Sequence, residues 1–185
     1  VQEKIKLQRM RMISALGDFQ LALSAADFTQ EADENERYSH VELRRFRCYE
    51  HTAIVSYSRP FSDGKSKVPR LSMKQIRAEL TEDQKKLHNR VIKLRNKLVA
   101  HSDAEMMNFA AKAEPIDIDK DRPFYAVIAQ HDEGLQFYKW RDQLAFIDLI
   151  RKVSFCLYST MSKIAQEEPG AFDMTVHFPE AYPPS

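Results

Sequence analysis

Leu87-His88-Asn89-Arg90-Val91-Ile92-Lys93-Leu94-Arg95-Asn96-Lys97-Leu98-Val99-Ala100-His101 is the stretch on which the fold turns. Leu87, Val91, Leu94 and Leu98 recur at the four-three spacing that lines one side of a helix. His101 is the next position on that stripe, so a titratable ring stands where a leucine is expected. Arg95 lies about 100° around the helix from Leu94, on the flank of the stripe. Thr81-x-x-Gln84 precedes the run and has the form of a capping box, which starts the helix there.

Working outward, the same period recurs on both sides. Residues 2–28 carry Ile5, Met12, Leu16, Phe19 and Leu23 and read as one long helix, ended by a polar break over 29–36. Residues 37–58 form a second helix with Leu43, Phe46, Ala53 and Tyr57 on one stripe. Glu50 occupies the remaining position on that stripe. It either snorkels to solvent or is a buried carboxylate that orients Arg95 or His101. Pro60 and Ser62-Asp63-Gly64 close this helix, and a short helix is expected near 72–80. Residues 139–166 form the last long helix, with Trp140, Leu144, Ile147, Ile150, Leu157, Met161 and Ile164. Pro169-Gly170 stops it.

Between 101 and 139 the chain turns acidic and irregular through Pro115. The runs 124–130 and 135–138 are rich in β-branched and aromatic residues and flank His131-Asp132-Glu133-Gly134. That pattern predicts a two-stranded hairpin, which needs the helices or a partner to cover its aromatic side. The expected architecture is therefore mainly α: an antiparallel bundle of four or five helices with a β-hairpin inserted before the last long helix. One domain spans 1–166, and 167–185 is an extended or disordered tail.

The 185 residues suit one domain. Net charge is only +1, but it is unevenly spread. From Gly64 to His101 there are 11 basic residues against three acidic ones, a net +8 that ends on Arg95 and His101. Lys85, Lys86, Arg90, Lys93 and Lys97 are the candidates for binding a polyanion such as RNA through counterion release; alone, they read equally well as a solvated helix face. Cys48 and Cys156 are far apart within helices, which points to free thiols and a reduced, cytoplasmic setting. No apolar run reaches membrane-spanning length, and the charged start lacks the apolar core of a signal peptide. No two histidines have the three- or four-residue spacing of a helical metal pair, and phosphate-loop, Gly-x-Ser-x-Gly and His-Glu-x-x-His motifs are absent. Neither a metal nor a cofactor is expected.

Arg95, Asn96 and His101, with five residues between the arginine and the histidine, resemble the signature of the HEPN superfamily (higher eukaryotes and prokaryotes nucleotide-binding). The run 94–103 looks like the abortive-infection type of that domain. The resemblance implies a homodimer whose two motifs face each other, and a metal-independent endoribonuclease in a toxin or phage-defence setting, with an antitoxin or defence-system protein as partner. A 2′-hydroxyl would attack the adjacent phosphorus to leave a 2′,3′-cyclic phosphate. His101 would move the proton, and Arg95 would stabilise the charge that builds on the phosphoryl oxygens. Asn96 would either bond the same phosphate or hold the imidazole. Some members carry a tyrosine two residues after the histidine that a partner enzyme modifies; Asp103 stands there in this chain, which argues against that control. Arg95 and His101 are roughly 120° apart on a straight helix, so either the helix loosens before His101 or the working site combines two chains. Two other readings stand beside this one: a catalytically silent module that binds RNA, a nucleotide or a protein through the same residues, and a purely structural helical dimer.

Overall fold

The computed structural model describes residues 2–62, 67–99, 109–116, 124–131 and 134–175. The chain runs α1 (Gln2–Thr29), α2 (His40–Ser58), a 3-10 turn (Arg59–Phe61), α3 (Glu82–Val99), β1 (Phe109–Ile116), β2 (Phe124–His131) and α4 (Trp140–Glu167). The mainly helical architecture with a hairpin ahead of the last long helix is as the sequence predicts.

Cross-helix pairs fix the directions of the helices. Phe19 meets Tyr57 while Phe28 meets Tyr49, so α1 and α2 are antiparallel. Arg9 pairs with Glu168 and Arg151 with Asp27, which sets α4 antiparallel to α1. On the far side Lys152 reaches Gln84 at the start of α3. The core is built from Phe19, Phe46, Ile54, Tyr57, Val91, Phe146, Ile150 and Leu157, all fully buried or nearly so. On α1 the buried line runs through Met12, Ala15, Phe19, Ala22 and Ala26. The expected Leu16 and Leu23 flank it, because alanines let neighbouring backbones come close while larger side chains fill the edges.

Local chemistry sets the helix ends. Ser39 and Glu42 form a reciprocal capping box at the start of α2. Thr81 and Gln84 do the same for α3, with Thr81 N–H donating to Gln84 Oε1 at 3.1 Å and Gln84 N–H to Thr81 Oγ1 at 3.3 Å. After α4, Gly170 takes the left-handed backbone that turns the chain, at φ 86°. Beyond it Ala171 is buried and Phe172 packs on the core, so the body continues past residue 166. The expected short helix near 72–80 is a single turn, ending at Arg77 in the left-handed region at φ 52°.

Residues 124–131 form a strand as read from the sequence, but its partner is β1 rather than 135–138. The register pairs Ala111 with Ala129, Ala113 with Val127 and Pro115 with Tyr125. Two physical reasons account for this. The amides of Gln136 and Phe137 are donated to the Glu50 carboxylate, and the Gln136 carbonyl accepts from Arg90, so that segment has little backbone left for a ladder. In addition, a two-stranded sheet leaves one edge of each strand open, so Pro115 costs no ladder bond. Alternation puts Ala111, Ala113, Pro115, Tyr125, Val127 and Ala129 on one face of the hairpin. Tyr125 and Val127 on that face are exposed.

Candidate functional site

α3 carries Arg95 and Asn96, and its inner side explains how it is held. Val91 is fully buried, with Leu87 and Leu94 packed around the core. His88 lies beside this stripe, with Nδ1 2.9 Å from the Tyr57 hydroxyl and its ring edge-on to Phe61, 4.9 Å between centroids. Burial pushes the imidazole below its ordinary pKa, so His88 is neutral at neutral pH. Burial also pushes the Tyr57 phenol far up. The Tyr57-Ser58-Arg59-Pro60-Phe61 segment thus joins α2 to α3 through its two rings and to α1 through an Arg59–Asp18 ion pair. From sequence that segment is expected to end the helix and anchor the loop, and His88 is weighed only as a metal ligand. The available signal was an aromatic pair four residues apart, closing one helix opposite a histidine on the rim of another stripe.

Arg95 is one heptad beyond His88, on nearly the same line of α3 and about 10 Å further along. Its guanidinium is half-buried. Nη1 donates to Asn96 Oδ1 at 3.1 Å, while Nε is buried with no hydrogen-bond partner among the described residues. A donor withheld from water with no acceptor is costly. The structure therefore brings Arg95 and Asn96 together. His101 and Asp103 lie outside the described residues, as does the Lys97 side chain.

The basic candidates differ in what they are doing. Lys85 and Lys86 form i,i+3 pairs with Glu82 (2.7 Å) and Asp83 (3.5 Å). Both pairs are exposed, hence weak and open to exchange with a polyanion. Arg90 donates to the Gln136 carbonyl at 2.8 Å and lies over the Phe137 ring at 4.8 Å, so part of its role is to hold the segment entering α4. Lys93 is exposed, and Lys86, Asn89, Arg90, Lys93 and Leu94 line an open groove along α3, on the side of the helix away from the His88–Arg95 line. Lys65 lies outside the described residues.

Glu50 is buried rather than snorkelled, at 3% exposure. Its two oxygens accept the Gln136 and Phe137 N–H groups at 3.0 and 2.6 Å. Among the described residues it orients backbone ahead of α4, in place of the expected Arg95 or His101. Burial raises its pKa, opposed by those two amides and by Arg47 and Arg90.

Among the described residues no group of three His, Cys, Asp or Glu side chains could hold a metal ion, and no helix is long and apolar enough to cross a membrane. Cys48 and Cys156 are free thiols. No protein-family model, curated protein or solved structure matches the chain, and the reading of this site rests on its residues.

Proposed function

We propose that the chain is a metal-independent endoribonuclease of HEPN type, with its site assembled across a homodimer, acting in the cytoplasm in a toxin or phage-defence setting beside an antitoxin or defence-system protein. The observation that carries the reading is Arg95. Its half-buried guanidinium, with Nε unpartnered among the described residues, stands beside Asn96 near the end of a helix whose exposed side bears Lys86, Lys93 and a run of further basic residues. Such a group suits a phosphodiester, since a guanidinium forks onto two oxygens with paired hydrogen bonds. In this reading the 2′-hydroxyl attacks phosphorus and the 5′-oxygen leaves. His101 transfers the proton, and Arg95 holds the equatorial oxygens as their charge grows.

A silent RNA-binding module is the second reading. The Arg95–Asn96 hydrogen bond favours it, because an amide oxygen already occupies one of the donors that a transition state would need. The test is incubation of wild type, Arg95→Ala and His101→Ala with mixed single-stranded and structured RNA in excess EDTA. Wild-type products with cyclic-phosphate ends, falling about 10²- to 10⁴-fold in both variants, are the expected result. Salt-sensitive RNA retention without products would replace the ribonuclease with the binding module.

A further inference from the structure

α4 presents a second apolar line that the described residues leave exposed. Trp140, Leu144, Phe155 and Tyr158 are 49, 37, 70 and 65% exposed. With Asp148 and Arg151 they follow spacings of four, four, three, four and three, so all six fall on one stripe. The sequence alone assigns Trp140 and Leu144 to the core, yet the structure turns them outward while Gln143, Phe146 and Ile150 point in. An outward aromatic line of this length on a soluble domain marks a contact surface.

The order of residues along the line identifies the partner. An antiparallel copy of α4, related by a two-fold axis through the point midway between residues 149 and 150, places each residue opposite the one whose number adds with its own to 299. Leu144 then faces Phe155 of the second copy, and Asp148 faces the second copy's Arg151. Trp140 comes within about 1.5 Å of the axial height of Tyr158. The apolar ends and the charged centre are thus self-complementary, as an isologous interface requires.

Within one chain Arg151 is only loosely held, 3.9 Å from Asp148 and 3.7 Å from Asp27, so its guanidinium can turn across the seam. From ring sizes, the four apolar side chains offer roughly 450 Å² per copy. About 900 Å² for the pair, with the charged centre and flanks added, reaches the range of specific interfaces.

We infer that two copies of this chain associate along α4, in an antiparallel seam registered by crossed Asp148–Arg151 pairs. This inference does not rest on the ribonuclease reading. α3, which carries Arg95, meets α4 beside that line, through Gln84 and Lys152. A composite Arg95 site would need its own two-fold contact, and two such contacts on one chain would build assemblies larger than a dimer.

Charge reversal tests the register. Asp148→Arg and Arg151→Asp each put like charges opposite one another twice, and each should raise the dissociation constant for self-association at least about tenfold. The double variant Asp148→Arg/Arg151→Asp restores opposite charges and should recover the wild-type mass by light scattering and sedimentation. Phe155→Glu should lower the mass with the helical circular dichroism unchanged. A monomeric wild type overturns the inference, and so does a wild-type assembly whose mass neither single reversal lowers. RNA cleavage assayed in the same variants keeps the two questions apart: a broken seam with intact cleavage supports the seam and leaves the ribonuclease reading standing.

Discussion

Glu50→Ala is the perturbation whose effect can be worked furthest from the structure. The carboxylate lies in the core stripe of α2 between Phe46 and Ala53, and it accepts two amides from residues 86 and 87 positions further along the chain. Hydrogen bonds to a charged group contribute about 1.5–3 kcal/mol each. Truncation removes both acceptors and leaves the buried Phe137 N–H without one, for an expected loss of about 3–5 kcal/mol. Glu50→Gln keeps one acceptor oxygen and turns an NH₂ toward the other amide, so its loss should be about half as large.

For a chain of this size that corresponds to a fall in Tm of roughly 6–20 °C for Glu50→Ala. Urea unfolding followed by circular dichroism and by the single tryptophan, Trp140, measures both variants. The pH arm has a definite sign. Burial raises the Glu50 pKa in the folded state, so the native chain binds this proton more readily than the unfolded one. The associated stability is fully present below the unfolded carboxylate pKa and is lost as pH rises through the raised value. The advantage of wild type over Glu50→Gln should therefore be larger near about pH 4 than at neutral pH. A loss below about 1 kcal/mol in Glu50→Ala would refute the view that this carboxylate anchors the approach to α4.

Burial lowers the His88 pKa, so its contribution has the opposite form: it is complete above the unfolded value of about 6.5 and declines as pH falls through that value toward the lowered one. His88→Gln, which can still bond Tyr57, should flatten the urea stability profile between about pH 5 and 7. Arg59→Ala leaves the buried Asp18 carboxylate without its cation. Because Arg59 is half exposed, solvent screening limits the expected cost to about 1–2 kcal/mol at neutral pH. Burial holds Asp18 above its ordinary pKa, so that cost should shrink in acid, where a protonated Asp18 needs no partner, and Asp18→Asn in the Arg59→Ala background should recover part of it.

Interactions of short sequence range were legible before any coordinates. The capping box at Thr81, the break at Pro60, the stop at Pro169-Gly170 and the 3.6-residue stripes depend on neighbours within one or two turns, and a linear reading captures them; the Ser39–Glu42 box has the same short range, yet the helix was expected to start at residue 37 rather than behind it. The Arg95–Asn96 pairing is of the same kind, being one residue apart. What the sequence by itself determined is thus the helical class, most helix boundaries and the place of Arg95 and Asn96 on α3.

Tertiary structure decided everything that joins distant segments. Glu50 could have snorkelled or turned to Arg95; two amides more than 80 residues away took it instead, and this removed residues 135–138 from the hairpin. β1 was hidden because its alanines and Pro115 have low strand propensity, and only the register with β2 made it a strand. α4 has apolar residues on two sides, and periodicity alone cannot say which side a bundle covers. Packing against α1 and against Tyr57 of α2 buried the line through Phe146 and Ile150 and left the Trp140–Tyr158 line in solvent. The physical reason is common to all three: a side chain's local pattern limits where it can point, but the lowest free energy is set by which distant donor, strand or helix face is there to receive it.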